Sequence, residues 1–201
     1  NFTYNADKIT KLFYGIDKWP LPSRSLVYTV GQSITFLLPV RVGVNPDNGN
    51  IVWAKPGGGT TETYSEDLYQ DTGKRLFAPI NGGFGLNASW KGLTLNADFA
   101  FTLGKWMVDN MEFKFTQDNH DRALVNAWKK PGDITDVPRF GVANRFDTSL
   151  LHNSSFLRLK NLSLSYDLPK SWMEATKVIR NVRLSATARN LVTFTKWKGA
   201  D

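Results

Sequence analysis

The residue types that most often perform catalysis are scarce in this chain of 201 residues. Cysteine is absent, and the two histidines, His120 and His152, fit neither an HExxH motif nor a comparable metal-ligand spacing. The sequence also has two acidic pairs, Glu66–Asp67 and Asp133 with Asp136. A glycosidase needs two carboxyl groups at a fixed separation, and the turn-rich sequence around both pairs provides no scaffold for one. We therefore predict a protein that is not an enzyme, with no catalytic residue, metal site or cofactor site.

The basic residues do not indicate a nucleic-acid surface, although the net charge is +7 and the pI is about 9.6. Lysine and arginine are scattered along the chain, and the longest basic run is Lys129–Lys130. The glycine-rich segment KPGGGTT lacks the lysine and the helix that follow a phosphate-binding loop. The charge is therefore that of a solvated surface, and we expect no nucleic-acid partner.

Two other groups of residues could contact a ligand. The first is charged residues on the polar side of the alternating segments described below, where we expect them to face an enclosed aqueous space: Asp98, Arg183 and Arg189. Interior charges of this kind either pair with neighbouring strands or another domain, or contact a substrate directly. The second group is aromatic residues in a long connection: Trp106, Trp128 and Phe140. Such rings can stack on sugars, contact a partner or pack within the loop.

Strict alternation of apolar and polar residues predicts the elements that position these side chains. In residues 82–104 the alternation continues on both sides of Lys91–Gly92, which predicts two strands joined by a two-residue hairpin turn. Residues 182–195 repeat the pattern, with Asn190–Leu191 as the only interruption. Residues 156–167 repeat it again, but the parity changes around Lys160–Asn161, which predicts a β-bulge.

The connections between the strands differ greatly in length. Residues 44–81 and 105–154 show no sustained alternation, and connections of this length are uncommon in compact domains unless they are functional. Helical spacing predicts a short helix within residues 119–130, and a helical turn is expected after Pro169. Residues 32–44 predict a further strand, although its proline argues against pairing in the interior of a sheet.

Two architectures share this alternation. A soluble β-sandwich buries its apolar face against a second sheet, whereas an outer-membrane β-barrel turns that face to lipid. The chain has no apolar run of the roughly 18 to 20 residues that a membrane-spanning helix needs, but a barrel strand needs only about 9 to 11 alternating residues. Long strands, short turns that alternate with long loops, and aromatic residues near strand ends favour the barrel. The alternative is a soluble β-rich carbohydrate-binding module.

Five segments of the sequence also carry a family resemblance. In chain order they are GVNPDNGNIVW, INGGFGLNASWKGLTLNADFAFTLG, AWKKPGDITDVPRF, SSFLRLKNLSLSYDLPKSW and VRLSATARNLVTFTKWKGAD. As an ordered set that covers nearly the whole chain, they resemble the C-terminal part of SusC/RagA-type TonB-dependent outer-membrane transporters of Bacteroidetes. The most specific pieces are SFLRLKNLSLSYDLP and ARNLVTFTKWKGAD.

The resemblance implies an all-β fold, in which the chain is part of an antiparallel transmembrane β-barrel of about 22 strands with long extracellular loops. It also implies a location in the bacterial outer membrane, in contact with its lipid, and import of glycans or peptides with energy from TonB. A SusD-like surface lipoprotein would be the partner. Residues 1–201 would then be the C-terminal part of the barrel, without the plug domain, the segment that contacts TonB and the last strand. With Lys91–Gly92 on the periplasmic side, residues 44–81 and 105–154 would lie outside the cell.

Overall fold

The computed structural model describes residues 1–117, 125–174 and 179–197. The chain divides into two compact units. The first, here called the strand unit, comprises Asn1–Asn5, Ala78–Gly104 and Ser154–Lys196. The second, here called the loop unit, comprises Ala6–Phe77, Lys105–Asn153 and Trp197–Asp201.

Short and long β-strands make up most of the secondary structure. The strands are β1 (Phe2–Tyr4), β2 (Lys18–Leu21), β3 (Leu26–Thr29), β4 (Thr35–Pro39), β5 (Arg41–Val44), β6 (Ile51–Ala54), β7 (Thr60–Thr61), β8 (Tyr69–Arg75), β9 (Ile80–Trp90), β10 (Leu93–Leu103), β11 (Trp106–Val108), β12 (Leu151–Asn153), β13 (Phe156–Asp167) and β14 (Arg183–Thr195). The α-helices are α1 (Asn110–Gln117) and α2 (Lys170–Glu174). Among the described residues, no helix has both the length and the apolar character needed to cross a membrane.

The strand unit is an antiparallel sheet in the order β1-β9-β10-β13-β14, so strands that follow one another in the unit are also neighbours. The predicted hairpin is confirmed, because Trp90 pairs with Leu93 and leaves only Lys91 and Gly92 in the turn. Their φ angles are 46° and 86°, and two positive values are what a two-residue type I′ turn requires. The helical turn predicted after Pro169 is also confirmed, as α2.

The predicted β-bulge is confirmed as well. Asp98 pairs with Asn161 and Phe99 pairs with Leu159, so Lys160 is the extra residue on β13. On β14 the same level contains the interruption at Asn190–Leu191, where Asn190 has a φ of 51°. A bulge adds one residue to one strand, so the alternation in the sequence shifts by one position beyond it. Both halves of β13 therefore keep their apolar side chains on one face of the sheet, although their sequence parity differs.

The two faces of this sheet differ sharply in chemistry. Directly opposed residues on antiparallel strands share a face, and on one face the opposed sets are apolar from β9 to β14. One such row is Leu86, Ala97, Leu162 and Ala188. Leu95, Leu184 and Phe194 on this face are 38%, 58% and 60% exposed, so they are not packed under a second protein layer of the described residues. This is the outward apolar face of a barrel segment and not the buried face of a sandwich.

The loop unit consists of short strands in three small sheets, in the orders β2-β3-β4-β8, β5-β6-β7 and β11-β12. The strand predicted within residues 32–44 is therefore two strands, β4 and β5, which belong to different sheets. All five residues of β4 are buried, and Pro39 lies opposite Tyr69 at the end of the β4–β8 pairing. The long connections are thus folded and contain their own apolar interior, which the absence of alternation did not predict.

One helix in the loop unit was not predicted. Helix α1 begins after Asp109, whose Oδ1 accepts hydrogen bonds from the backbone amides of Met111 and Glu112 at 2.9 Å and 3.0 Å. The sequence signal for this cap is present, because an aspartate followed three residues later by a glutamate is a capping-box pattern. The helix predicted within residues 119–130 falls largely on residues 118–124, which lie outside the described part of the chain.

Candidate functional site

The polar face of the strand unit carries a row of hydrogen-bonding side chains across neighbouring strands. Asp98 on β10 lies opposite Asn161 on β13, which in turn lies opposite Arg189 on β14. The Asn161 Nδ2 donates to Asp98 Oδ2 at 3.2 Å. On β9 the opposed residue is Gly85, where an added Cβ would lie 3.0 Å from Asp98 Oδ1, so the missing side chain gives the carboxylate room. The sheet thus brings two of the charged residues predicted from sequence, Asp98 and Arg189, into one row.

Arg189 differs from the other charged residues in its contacts. Its side chain is exposed and makes no hydrogen bond or ion pair with another residue of the described chain. Its place on the polar face follows from its pairing with Asn161. Arg189 thus presents its guanidinium on the polar face without a partner among the described residues of the sheet.

Arg183 has a partner of its own. Its Nε and Nη2 donate to the two carboxylate oxygens of Asp167 at 2.6 Å and 2.8 Å, which is a bidentate ion pair between the ends of β13 and β14. The backbone amide of Asp167 also donates to the Gly92 carbonyl oxygen at 2.8 Å. Arg183 thus fastens the strand ends beside the hairpin turn, which is the pairing role that the sequence left open for these charges.

Arg158 is a further charged residue on the polar face, and the sequence analysis did not single it out. It lies opposite Ala100 on β10, two residues from Asp98, and therefore on the same face across the bulge. Its Nε donates to Thr193 Oγ1 at 2.9 Å. The signal was available, because Arg158 stands between Leu157 and Leu159 in the alternating pattern. Near the bulge, the polar face therefore carries an arginine on each of two adjacent strands, Arg158 on β13 and Arg189 on β14.

Trp106 is the first of the three aromatic residues predicted from the sequence. It lies on β11 and packs against the cluster formed by Phe36, Leu38 and Leu151. The Lys74 ammonium lies 4.5 Å from the centroid of its ring, within the range of a cation–π contact. Trp106 also lines a cavity of about 780 Å³, here called the Trp106 cavity.

The other two predicted aromatic residues have different surroundings. Trp128 donates from Nε1 to the Pro46 carbonyl oxygen at 2.8 Å. Its ring lies over Gly49, where an added Cβ would be 2.6 Å from the indole, so Trp128 packs on the turn of residues 45–50. Phe140 is 73% exposed and is therefore the one of the three that presents its ring to solvent. Neither Trp128 nor Phe140 lines the Trp106 cavity.

Polar contacts between distant parts of the chain hold the loop unit together. Asp147 is fully buried, its Oδ2 accepts from Trp53 Nε1 at 3.1 Å, and its Oδ1 accepts from the Ser149 amide at 2.9 Å. The Arg41 amide donates to Thr148 Oγ1 at 2.9 Å. The hydrogen bond between Trp53 and Asp147 thus joins the two long connections, residues 44–81 and 105–154.

Residues of both acidic pairs take part in local turn structure. The Asp133 Oδ2 accepts from the backbone amides of Lys129 and Lys130, both at 3.0 Å, and these hydrogen bonds hold the pKa of Asp133 below its usual value. Glu66–Leu68 forms a 3₁₀ turn. His152 Nε2 lies 2.8 Å from Glu112 Oε2, and His120 lies outside the described residues. No group of three or more His, Cys, Asp or Glu residues in the described ranges is placed to hold a metal ion.

A carboxylate in the loop unit that the sequence analysis did not identify is clamped by three amides. Glu62 accepts from Asn45 Nδ2 at 2.6 Å, and from Asn48 Nδ2 and Asn50 Nδ2 at 2.9 Å each. The hydrogen bond from Asn45 is the largest cause of a pKa of Glu62 below its ordinary value, followed by those from Asn50 and Asn48. Nearby, burial and a contact with Tyr69 raise the pKa of Tyr64 to about 12. The asparagine-rich turn is therefore shaped around an ionised carboxylate.

Long antiparallel strands, a continuous apolar face and a polar face with charged rows define a segment of an outer-membrane β-barrel. No protein-family model matches the chain. The chain is 30% identical to TonB-dependent receptor P3 of Formosa agariphila. The match covers all of this chain and 22% of the receptor. TonB-dependent receptor P39 of the same organism is 24% identical over 59% of the chain and 12% of that receptor.

Solved structures of the RagAB peptide importer match more closely in sequence. The "open-open" state matches with 44% identity and a TM-score of 0.84, over 98% of this chain and 23% of the matched chain. The "closed-closed" state matches with 43% identity and a TM-score of 0.85 over the same shares. The chain belongs to the SusC/RagA-type TonB-dependent outer-membrane transporters, and it spans less than a quarter of the length of the proteins that it matches.

Proposed function

We propose that this chain supplies barrel strands and outer loops to an active importer of the outer membrane, which takes up peptides with energy delivered by TonB. The observation that carries the proposal is the 44% identity to the RagAB peptide importer over 98% of the chain, which includes the loop unit as well as the strands. Loops are the variable part of barrel proteins and the part that contacts ligands. Similarity there supports a related substrate class, and oligosaccharides are the competing class.

A SusD-like surface lipoprotein is the proposed partner, by analogy with the two-component RagAB assembly. In this arrangement the polar face of the strand unit lines the barrel interior, with Asp98 and Arg189 available to a plug domain or to passing substrate. Arg183 holds the ends of β13 and β14 together through its ion pair with Asp167. The apolar face is covered by lipid, which accounts for exposed side chains such as Leu184 and Phe194.

Uptake by cells tests the function directly. The full-length transporter is expressed in an outer membrane together with its partner lipoprotein, and cells are given labelled oligopeptides or labelled oligosaccharides. We expect accumulation of peptide that stops when TonB is deleted or the proton gradient is collapsed. Uptake of oligosaccharide but not of peptide would mean that the substrates are oligosaccharides. A full-length protein that leaves the membrane without detergent would contradict the proposal of a membrane-spanning barrel.

A further inference from the structure

The Trp106 cavity combines an aromatic lining with a basic rim. Its volume of about 780 Å³ lies in the range of small-molecule sites. Phe36, Tyr69 and Phe146 line it together with Trp106. Five of the other lining residues are apolar, and the polar ones are Ser23, Arg24, Ser25, Lys105 and Asn110. The four aromatic rings therefore offer an apolar surface for a large apolar or aromatic group beside polar side chains.

The charge at the cavity has a single sign. Arg24 and Lys105 are both lining residues, and no aspartate or glutamate of the described chain lines the cavity. The Lys74 ammonium lies against the indole of Trp106 and adds a third positive charge nearby. An anionic group beside an apolar one is therefore the complementary ligand, since carboxylates bind guanidinium and ammonium groups through charge-assisted hydrogen bonds.

The rim that carries Arg24 is held in place by the backbone. Pro22–Arg24 forms a 3₁₀ turn that ends at Ser25, which has a φ of 55° and a ψ of 34°. The left-handed region is unfavourable for serine because its Cβ crowds the following carbonyl oxygen. Two hydrogen bonds hold the conformation: the Ser25 amide donates to Pro22 O at 2.9 Å, and the Leu37 amide donates to Ser25 O at 2.8 Å. The turn is therefore formed before a ligand arrives, which lowers the entropic cost of binding.

We propose that the Trp106 cavity binds the C-terminal residue of a peptide. The large apolar side chain of that residue occupies the aromatic lining, and its α-carboxylate contacts Arg24 and Lys105. This inference rests on the proposed peptide import and adds to it a preference for a free C-terminus that follows a bulky apolar side chain. A uronic-acid sugar offers the same carboxylate but has no large apolar side chain to fill the aromatic part of the lining.

The test compares ligands that differ only at the C-terminus. The purified full-length transporter with its partner lipoprotein is titrated with N-terminally fluorescein-labelled Ala-Ala-Phe, its C-terminal amide and Ala-Ala-Ala, and anisotropy is recorded. We expect the free acid of Ala-Ala-Phe to bind at least about tenfold more tightly than either of the others, which corresponds to about 1.4 kcal/mol. A labelled glucuronate trisaccharide is the fourth ligand and is expected to bind more weakly than the peptide acid.

Variants then assign the effect to this cavity. Arg24→Gln and Lys105→Gln should lower the affinity for the acid to that for the amide and leave the affinity for the amide unchanged. Lys114→Gln, at an exposed cation of α1 that does not line the cavity, is the matched control and should change neither. Trp106→Leu should remove the preference for phenylalanine over alanine.

The outcomes separate this inference from the proposed function. Equal binding of acid and amide by the unmodified protein overturns the inference without any variant, and so does tighter binding of the glucuronate ligand. An unchanged acid preference in Arg24→Gln and Lys105→Gln also overturns it. If cells still accumulate labelled peptide in a TonB-dependent manner, only the inference has failed. If peptide neither binds nor enters cells, the proposed function has failed.

Discussion

The strand unit and the loop unit bury their apolar residues in different ways. The four main strands of the strand unit are 11 to 13 residues long and leave large apolar side chains exposed on one face. The strands of the loop unit are two to seven residues long and enclose buried clusters, one around Leu38 and one around Trp53. The strand unit therefore depends on lipid to cover its apolar face, whereas the loop unit carries its own interior, as a small water-soluble domain does.

Truncation in the interior of the loop unit is the strongest way to test this difference. Trp53 is 3% exposed, and its indole nitrogen donates to the buried carboxylate of Asp147. Trp53→Ala should destabilise the loop unit by about 3–5 kcal/mol, because it leaves a cavity and removes a hydrogen-bond partner of a buried carboxyl group. Limited proteolysis of the full-length transporter in outer-membrane vesicles should then show faster cleavage within the loop unit.

The barrel itself should tolerate this change. We expect Trp53→Ala to keep the slow migration of the unheated protein in SDS gels, which reports a closed barrel. Tyr14→Ala removes an aromatic ring that is 96% exposed and is the matched control for proteolysis. If Trp53→Ala also abolishes the folded barrel, the two units are not energetically separate and the comparison is wrong.

A charge placed on one face or the other tests how the strand unit is covered. Leu162 lies on the apolar face near the middle of β13, and its neighbour Ser163 lies on the polar face. Leu162→Arg should destabilise the barrel by about 2–4 kcal/mol, the range for arginine on a lipid-exposed face near the bilayer midplane. Ser163→Arg should cost much less. The measurement is urea-dependent folding into lipid vesicles, and equal costs for the two variants would show that lipid does not cover the apolar face.

Two glycines with nearly the same φ angle compare the turns of the two units. Gly92 in the strand unit has a φ of 86°, and an added Cβ would lie 2.8 Å from the Asp167 carbonyl oxygen. Gly57 in the loop unit has a φ of 87°, with no atom within 4 Å of an added Cβ. Gly57→Ala should therefore cost only the conformational strain, about 1–2 kcal/mol, and Gly92→Ala should cost more because a backbone oxygen must also move. Melting of the barrel and proteolysis of the loop unit measure the two costs, and a milder effect at Gly92 would contradict this account.

The sequence predicted the strand unit well for a physical reason. When lipid and water lie on opposite faces, every strand must alternate, so the hairpin at Lys91–Gly92 and the bulge at Lys160 can be found from local sequence alone. The expectation that Asp98, Arg183 and Arg189 lie on the polar face followed from the same parity, and the strand register then placed Asp98 and Arg189 in one row. Arg158 was missed although it obeys the same rule. Contact between any of these charged residues and a substrate stays a prediction.

The loop unit was not predictable in this way, because its structure depends on contacts between distant residues. Trp53 and Asp147 are 94 positions apart, and Arg41 and Thr148 are 107 positions apart. No local periodicity reports such pairs. The predicted strand within residues 32–44 is two strands in different sheets for the same reason, since Phe36 and Leu38 of β4 are buried together with Leu151, which is distant in sequence. The Trp106 cavity likewise depends on residues from both long connections.

The smallest expected effect concerns the clamp around Glu62, which has no counterpart among the described residues of the strand unit. Because the three asparagine amides lower the pKa of Glu62 from its ordinary 4.5, the ionised form stabilises the folded turn. This contribution is fully present above about pH 4.5, the unfolded-state value, and is lost as the pH falls through the lower folded-state value. The carboxylate is exposed, so solvent screening keeps the effect small.

Hydrogen exchange of residues 45–50, corrected for the intrinsic dependence on pH, measures this effect. In the unmodified full-length protein we expect protection of the Gly49 amide, which donates to Asn45 O at 2.8 Å, to fall as the solution is acidified below pH 4.5. Glu62→Gln should give lower protection that no longer changes with pH. Glu66→Gln, which removes an exposed carboxylate outside the clamp, should keep the full pH dependence. If Glu62→Gln keeps it too, the turn responds to a different group, and the asparagines alone determine its conformation.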